Sequence, residues 1–210
     1  MPLQTTASAI AGQVARVRRL LSRCAEKFTS FDAEIVRILH LCSRDDYGSV
    51  IDCFYLFEDT ELAKSYVRQH GIGTSADKAN FGLVYLKFYG LMNACYLQQQ
   101  AILVCTKKLK LDTDLTHVEA SRIIQFRNDF AAHSPNRKGG SPEHSYILDR
   151  FGLVEGRVAG YSSNSTDGLV FRNAALTELL REWDECFFSA LSPIAEHITK
   201  LIYAEGIRET

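Results

Sequence analysis

The segment THVEASRIIQFRNDFAAHSPNRK, residues 116–138, carries helix signals at both ends and an apolar face between them. Thr116 stands three residues before Glu119, the capping-box spacing that satisfies the first free N–H groups of a helix. Ser134-Pro135 closes the segment, because the residue before a proline is pushed out of the helical region. Ala120, Ile123, Ile124, Phe130 and Ala131 recur at three- and four-residue spacing, which predicts one helix with one buried face. Arg127 falls in the middle of that face. A guanidinium keeps its charge, so there it needs a partner, a water-filled cleft or a subunit interface. His133 is placed on the last turn, about a third of a turn away around the cylinder at ~100° per residue.

Outward from this segment the texture is helical on both sides. Residues from Ala76 to about Leu109 form the longest pattern, with Phe81, Val84, Tyr85, Phe88, Met92, Cys95, Gln99 and Ile102 down one side. Leu83, Leu86, Leu91 and Leu103 widen that stripe, as in a helix central to a bundle. Gln98, Gln99 and Gln100 read as a solvated patch. Nearer the start, Ser8 to Phe28 repeats Ile10, Val14, Val17, Leu20, Leu21 and Cys24, with its arginines largely off the stripe on a solvated face. Phe31 to Cys42 makes a shorter helix, Ser43 to Gly48 reads as a turn, and Ser49 to His70 as one or two helices broken around Glu58-Asp59-Thr60. Asn173 to about Ala204 returns to helical spacing, and Pro193 is expected to kink or split it.

Between the central segment and that last helix, short apolar runs alternate with Gly152, Gly156, Gly160 and Gly168, a hairpin or small-sheet pattern. The sequence therefore predicts a single mostly α domain over 1–210, a helical bundle with a small β-hairpin insertion at about 144–172 before the C-terminal helix.

Composition bounds the function. A net charge of −1 argues against a wholesale nucleic-acid coat but leaves room for a local site. The six cysteines show no C-x-x-C pair and read as reduced core thiols of a cytoplasmic protein. No signal peptide or membrane span is visible. No histidine or cysteine spacing fits a metal, and Gly71-Ile72-Gly73-Thr74-Ser75 fits no phosphate loop, so neither metal nor cofactor is expected.

Arg127-Asn128-Asp129-Phe130-Ala131-Ala132-His133 resembles the signature of the HEPN superfamily, an arginine and a polar residue followed after a short gap by a histidine. The resemblance covers this motif and the helix-rich pattern around it. It implies a HEPN-like helical bundle, a homodimer that pools two motif helices, and a metal-independent endoribonuclease. Arg127, Asn128 and His133 are then the catalytic set. The alternative is a non-catalytic helical interaction or nucleotide-binding module. The resemblance also admits a place in a toxin–antitoxin or phage-defence system, with an antitoxin-like protein partner that silences the site by modification; the nearest tyrosine behind His133 is Tyr146.

The residue types suit that chemistry. RNA cleavage without a metal uses the adjacent 2′-hydroxyl as nucleophile and leaves a 2′,3′-cyclic phosphate. Histidine titrates near neutrality, so His133 is assigned the proton transfer. Arginine binds two phosphate oxygens at once, so Arg127 is the phosphate clamp and Asn128 its hydrogen-bonding support. Asp129, four residues before His133, is placed to fix the imidazole tautomer. Arg137 and Lys138 are supplementary contacts to the RNA.

Overall fold

The chain is mostly helical, with a small antiparallel sheet immediately before the C-terminal helix. A computed structural model describes residues 3–73, 80–131, 146–164 and 168–208. Among them the order is α1 (Leu3–Lys27), α2 (Phe31–Ile38), α3 (Arg44–His70), α4 (Phe81–Lys108), α5 (Thr116–Glu119), α6 (Arg122–Phe130), β1 (Ile147–Leu148), α7 (Arg150–Val154), β2 (Arg157–Asn164), β3 (Gly168–Ala175) and α8 (Leu176–Ala204). These elements fall into two compact units, Met1–Glu61 with Leu97–Glu119 and Asp184–Thr210, and Leu62–Tyr96 with Ala120–Trp183.

The first unit is helical. The α1 stripe is buried as its spacing predicts: Ile10, Val17, Leu20 and Cys24 are fully inaccessible. The arginines on its other side have internal partners. Arg16 donates to the Tyr203 hydroxyl at 3.0 Å, and Arg18 pairs with Glu58 and lies 4.2 Å over the Tyr55 ring. Phe54, Phe57 and Phe187 meet edge to face, with centroids 5.4 Å apart for the first pair and 5.2 Å for the second. Such pairs add about 0.5–1.5 kcal/mol beyond the area they bury.

Several expected boundaries shift, each for a local reason. The turn at Ser43 to Gly48 is the first turn of α3. Ser43 Oγ accepts from Asp46 N–H at 3.1 Å, and Asp46 Oδ2 accepts from Cys42 N–H at 3.2 Å, a reciprocal cap. Helix α3 runs unbroken past Glu58-Asp59-Thr60 because the Thr60 hydroxyl satisfies itself on its own helix, at Leu56 O (2.5 Å) and Phe57 O (3.2 Å). Likewise α8 continues through Pro193, flanked by buried Leu191 and Ile194. In α4 the solvated reading of the glutamines is corrected. Gln98 is fully buried and donates to Glu61 Oε1 at 2.8 Å, and Gln99 is 5% exposed and donates to Val118 O at 3.1 Å. Leu86, expected to widen the α4 stripe, is 70% exposed instead.

All six cysteines are free. Burial pushes the Cys24 and Cys186 thiols up to about 11. Among the described residues no helix is long and apolar enough to cross a membrane.

In the second unit the sheet has the order β1-β2-β3. Ile147 pairs with Tyr161, and Tyr161 with Phe171. The β2–β3 ladder is continuous from Arg157↔Ala175 to Asn164↔Gly168. Alternation sends Val158, Gly160 and Ser162 inward, all buried, and Tyr161 outward. Asp149 starts α7 by accepting from Phe151 N–H at 3.0 Å, so a short helix interrupts what the glycine-rich pattern predicts as strand and turn alone.

Candidate functional site

The helix expected from Thr116 to Ser134 is two helices. Asp114 Oδ1 accepts both the Thr116 hydroxyl (2.6 Å) and its N–H (2.9 Å), so Thr116 acts within that turn. Its carbonyl-side continuation ends after one turn at Glu119. Ser121 is extended (φ −61°, ψ 143°) and stands before α6 as its N-cap residue. The break coincides with the boundary between the two units, at Glu119/Ala120. The motif therefore rides on α6 alone.

Four of the nine residues of α6, Ile123, Ile124, Phe126 and Phe130, are buried. They fix the helix while Arg122 on its other side reaches Glu182 Oε1 at 2.6 Å on α8. Phe130 is the anchor nearest the motif. It is fully buried, with its ring 5.3 Å from that of Tyr146 in a T-shaped contact. Strand β2 passes so closely that a Cβ at Gly160 would lie 2.5 Å from the Phe130 ring and still nearer to the Ile147 carbonyl. Only a residue without a side chain fits there.

Arg127 is half-buried among the apolar positions of α6, and its partner is aromatic. The guanidinium carbon lies 4.0 Å from the centroid of the Tyr96 ring, a cation–π contact. Arg127 Nη1 donates to Asn128 Oδ1 at 3.0 Å. Both partners are neutral. Among the described residues no carboxylate pairs with Arg127, so its charge is oriented without being cancelled.

Asp129 faces the sheet. Arg172 Nε on β3 lies 3.3 Å from Asp129 Oδ2, and the Arg172 guanidinium carbon is 5.9 Å from the Tyr146 centroid. Of the expected site residues, Arg127, Asn128 and Asp129 are thus together at the end of α6. His133, Arg137 and Lys138 lie outside the described residues. Among the described residues no group of three or more histidine, cysteine or acidic side chains is placed to hold a metal ion.

Tyr96, Arg172 and Gly160 are the neighbours that sequence reasoning misses. Arg172 had a signal: it alternates with Val170 and Ala174, so it stands on the inward side of its strand, where a charge needs a partner. A second missed feature is polar burial along α3. Phe57, Thr60, Glu61, Lys64 and Val67 follow one helical stripe, and Lys64 is fully inaccessible. Comparison of the chain with protein-family models, with curated proteins and with solved structures gives no match.

Proposed function

We propose that the chain is a metal-independent endoribonuclease of the HEPN type. The observation that carries this reading is Arg127, a half-buried guanidinium aimed by a ring and a neutral amide rather than neutralised by a carboxylate. That is the state required of a phosphate clamp: fixed direction, full charge, and part of its hydration already removed. Asn128 holds one Nη and leaves the remaining guanidinium N–H groups for phosphate oxygens. His133 moves the proton between the 2′-hydroxyl and the leaving oxygen. Asp129 has two carboxylate oxygens, so it can serve Arg172 and the imidazole together. Arg137 and Lys138 add contacts to the RNA backbone. The working unit is a homodimer in the cytoplasm, and an antitoxin-like partner within a toxin–antitoxin or phage-defence system controls it.

Purified full-length protein incubated with total RNA tests this directly. Cleavage should survive EDTA, leave 2′,3′-cyclic phosphate ends, and fall by about 10²–10⁴ in His133→Ala and in Arg127→Ala. An EDTA-sensitive activity, or cleavage unaffected by both substitutions, would sink the proposal.

The Asp129–Arg172 pair favours a second reading, a non-catalytic helical interaction module in which the motif serves packing. Arg127→Lys separates the two. It keeps the charge and loses the fork, so an enzyme retains RNA binding better than turnover, whereas the module has no turnover to lose.

A further inference from the structure

Among the described residues strand β3 is an edge strand, and six of its eight residues are exposed. Natural edges are usually blunted by lysine, proline, a bulge or brevity. Here the ladder to β2 is unbroken over all of β3, the sequence GLVFRNAA holds no lysine or proline, and its one charge, Arg172, is paired with Asp129. The outward side of the sheet adds an apolar row. Ile147, Tyr161 and Phe171 are aligned across the three strands and are 58%, 40% and 70% exposed. Leu169, two residues along from Phe171, extends the row at 59% exposed.

We infer that β3 pairs antiparallel with β3 of a second copy of this chain, joining two three-stranded sheets into one of six across a two-fold axis. Three observations select a second copy as the occupant. An open strand edge is satisfied in full only by another strand, and β3 is complementary to itself because the row carries no charge to repel its mate. The opposite edge, β1, is only two residues long, so head-to-tail growth has nothing to propagate on and the assembly closes at two. The apolar row also continues across the axis: Leu169 and Phe171, 59% and 70% exposed, come beside their mates on the paired strand as cross-strand apolar neighbours. The inference rests on the sheet alone and does not require the ribonuclease reading.

A nucleic-acid platform is the competing use of exposed aromatic rings on a sheet, through base stacking. Such surfaces add a cationic track, whereas the row itself is uncharged and Arg157, on the same outward side, is paired with Glu155 at 2.6 Å.

Sedimentation equilibrium of the full chain from about 1 to 100 µM is the test. The wild type should be dimeric, and the double variant Leu169→Glu, Phe171→Glu should be monomeric with an unchanged far-UV circular dichroism spectrum. Cysteine placed at 169, 171 or 173 in a Cys42→Ser background should form a disulfide-linked dimer at one position at least. Directly opposed residues of an antiparallel pair lie about 4.5–5.5 Å apart, within disulfide reach. Cysteine at Leu86, equally exposed but on α4, should not cross-link. A monomeric wild type, a dimer that survives the glutamates, or an open-ended ladder of oligomers each overturns the inference. So does a wild type that is monomeric and loses RNA binding on the same substitutions, which would assign the row to nucleic acid.

Discussion

Removing the Arg127 side chain should cost little stability, and the size of that cost follows from what the guanidinium touches. A cation–π contact is worth about 0.5–1 kcal/mol when exposed and about 2 kcal/mol when desolvated; Arg127 is half-buried, 4.0 Å from the Tyr96 centroid. The hydrogen bond to Asn128 joins adjacent residues at an exposed position, where water replaces it readily. Its aliphatic stem contributes a few tenths more, roughly, through packing. Arg127→Ala should therefore lower the unfolding free energy by about 1–1.5 kcal/mol, against the ~3–5 kcal/mol expected if a buried carboxylate were stranded. For a chain of 210 residues that is roughly 2–6 °C in melting temperature. Urea unfolding of the wild type, Arg127→Ala, Tyr96→Leu and the double variant closes a thermodynamic cycle. The coupling energy should be about 0.5–1 kcal/mol. A loss above ~3 kcal/mol, or a coupling energy near zero, would refute the assignment of Tyr96 as the partner. A small loss also makes the cleavage assay readable, because an inactive Arg127→Ala would then be a folded protein.

Two further outcomes are expected. Gly160→Ala should destabilise the protein by about 2–3 kcal/mol in urea unfolding, because the new methyl group meets the Phe130 ring and the Ile147 carbonyl and the strand must shift; a neutral result would mean that β2 can move away freely. His197 is held below the ordinary 6.5, first by burial and then by the positive charge of His40 and Lys200. A depressed folded value means that its contribution is fully present above about 6.5 and is lost as pH falls through the lower folded value. Urea midpoints measured at pH 5.5 and 7.5 should rise more steeply with pH for the wild type than for His197→Asn, and parallel slopes would contradict it.

What the sequence revealed follows the range of the interaction. Helical stripes such as Ile10 to Cys24 are written in local spacing, and so is the change of texture at the sheet. Register within a helix is local too, which is why Arg127 could be placed at an apolar face before its neighbours were known. The neighbours themselves come from far along the chain: Tyr96 from α4 and Arg172 from β3. Aromatic residues satisfy cations as carboxylates do, so the permanent charge on Arg127 alone did not settle what lies opposite it. The expectation of a subunit interface around Arg127 loses the support of an unpartnered charge, and the case for a second copy now rests on the edge of β3. Capping chemistry misled in one place and was overlooked in another. Thr116-x-x-Glu119 had the right spacing, but Asp114 takes the Thr116 hydroxyl, while Ser43-x-x-Asp46 formed the working cap. The buried Glu61–Gln98 bond was hidden because polar side chains on a buried stripe look like solvent-facing ones until the opposite helix is known.

The interleaving of the two units has a consequence for how the chain is made. The second unit draws on Leu62–Tyr96 and Ala120–Trp183, all of which leave the ribosome before the last piece of the first unit, Asp184–Thr210. Synthesis proceeds at about 5–20 residues per second, so the second unit has its full complement while the first still waits, on the order of a second, for most of α8. During that interval the first unit lacks Phe187, Leu191, Ile194, Ile198 and Ile202, all buried in the finished protein. The first unit is therefore the part of the nascent chain most open to chaperones, and a stop codon placed just after Trp183 would leave the motif helix and its sheet with every segment they need while depriving the first unit of a later piece.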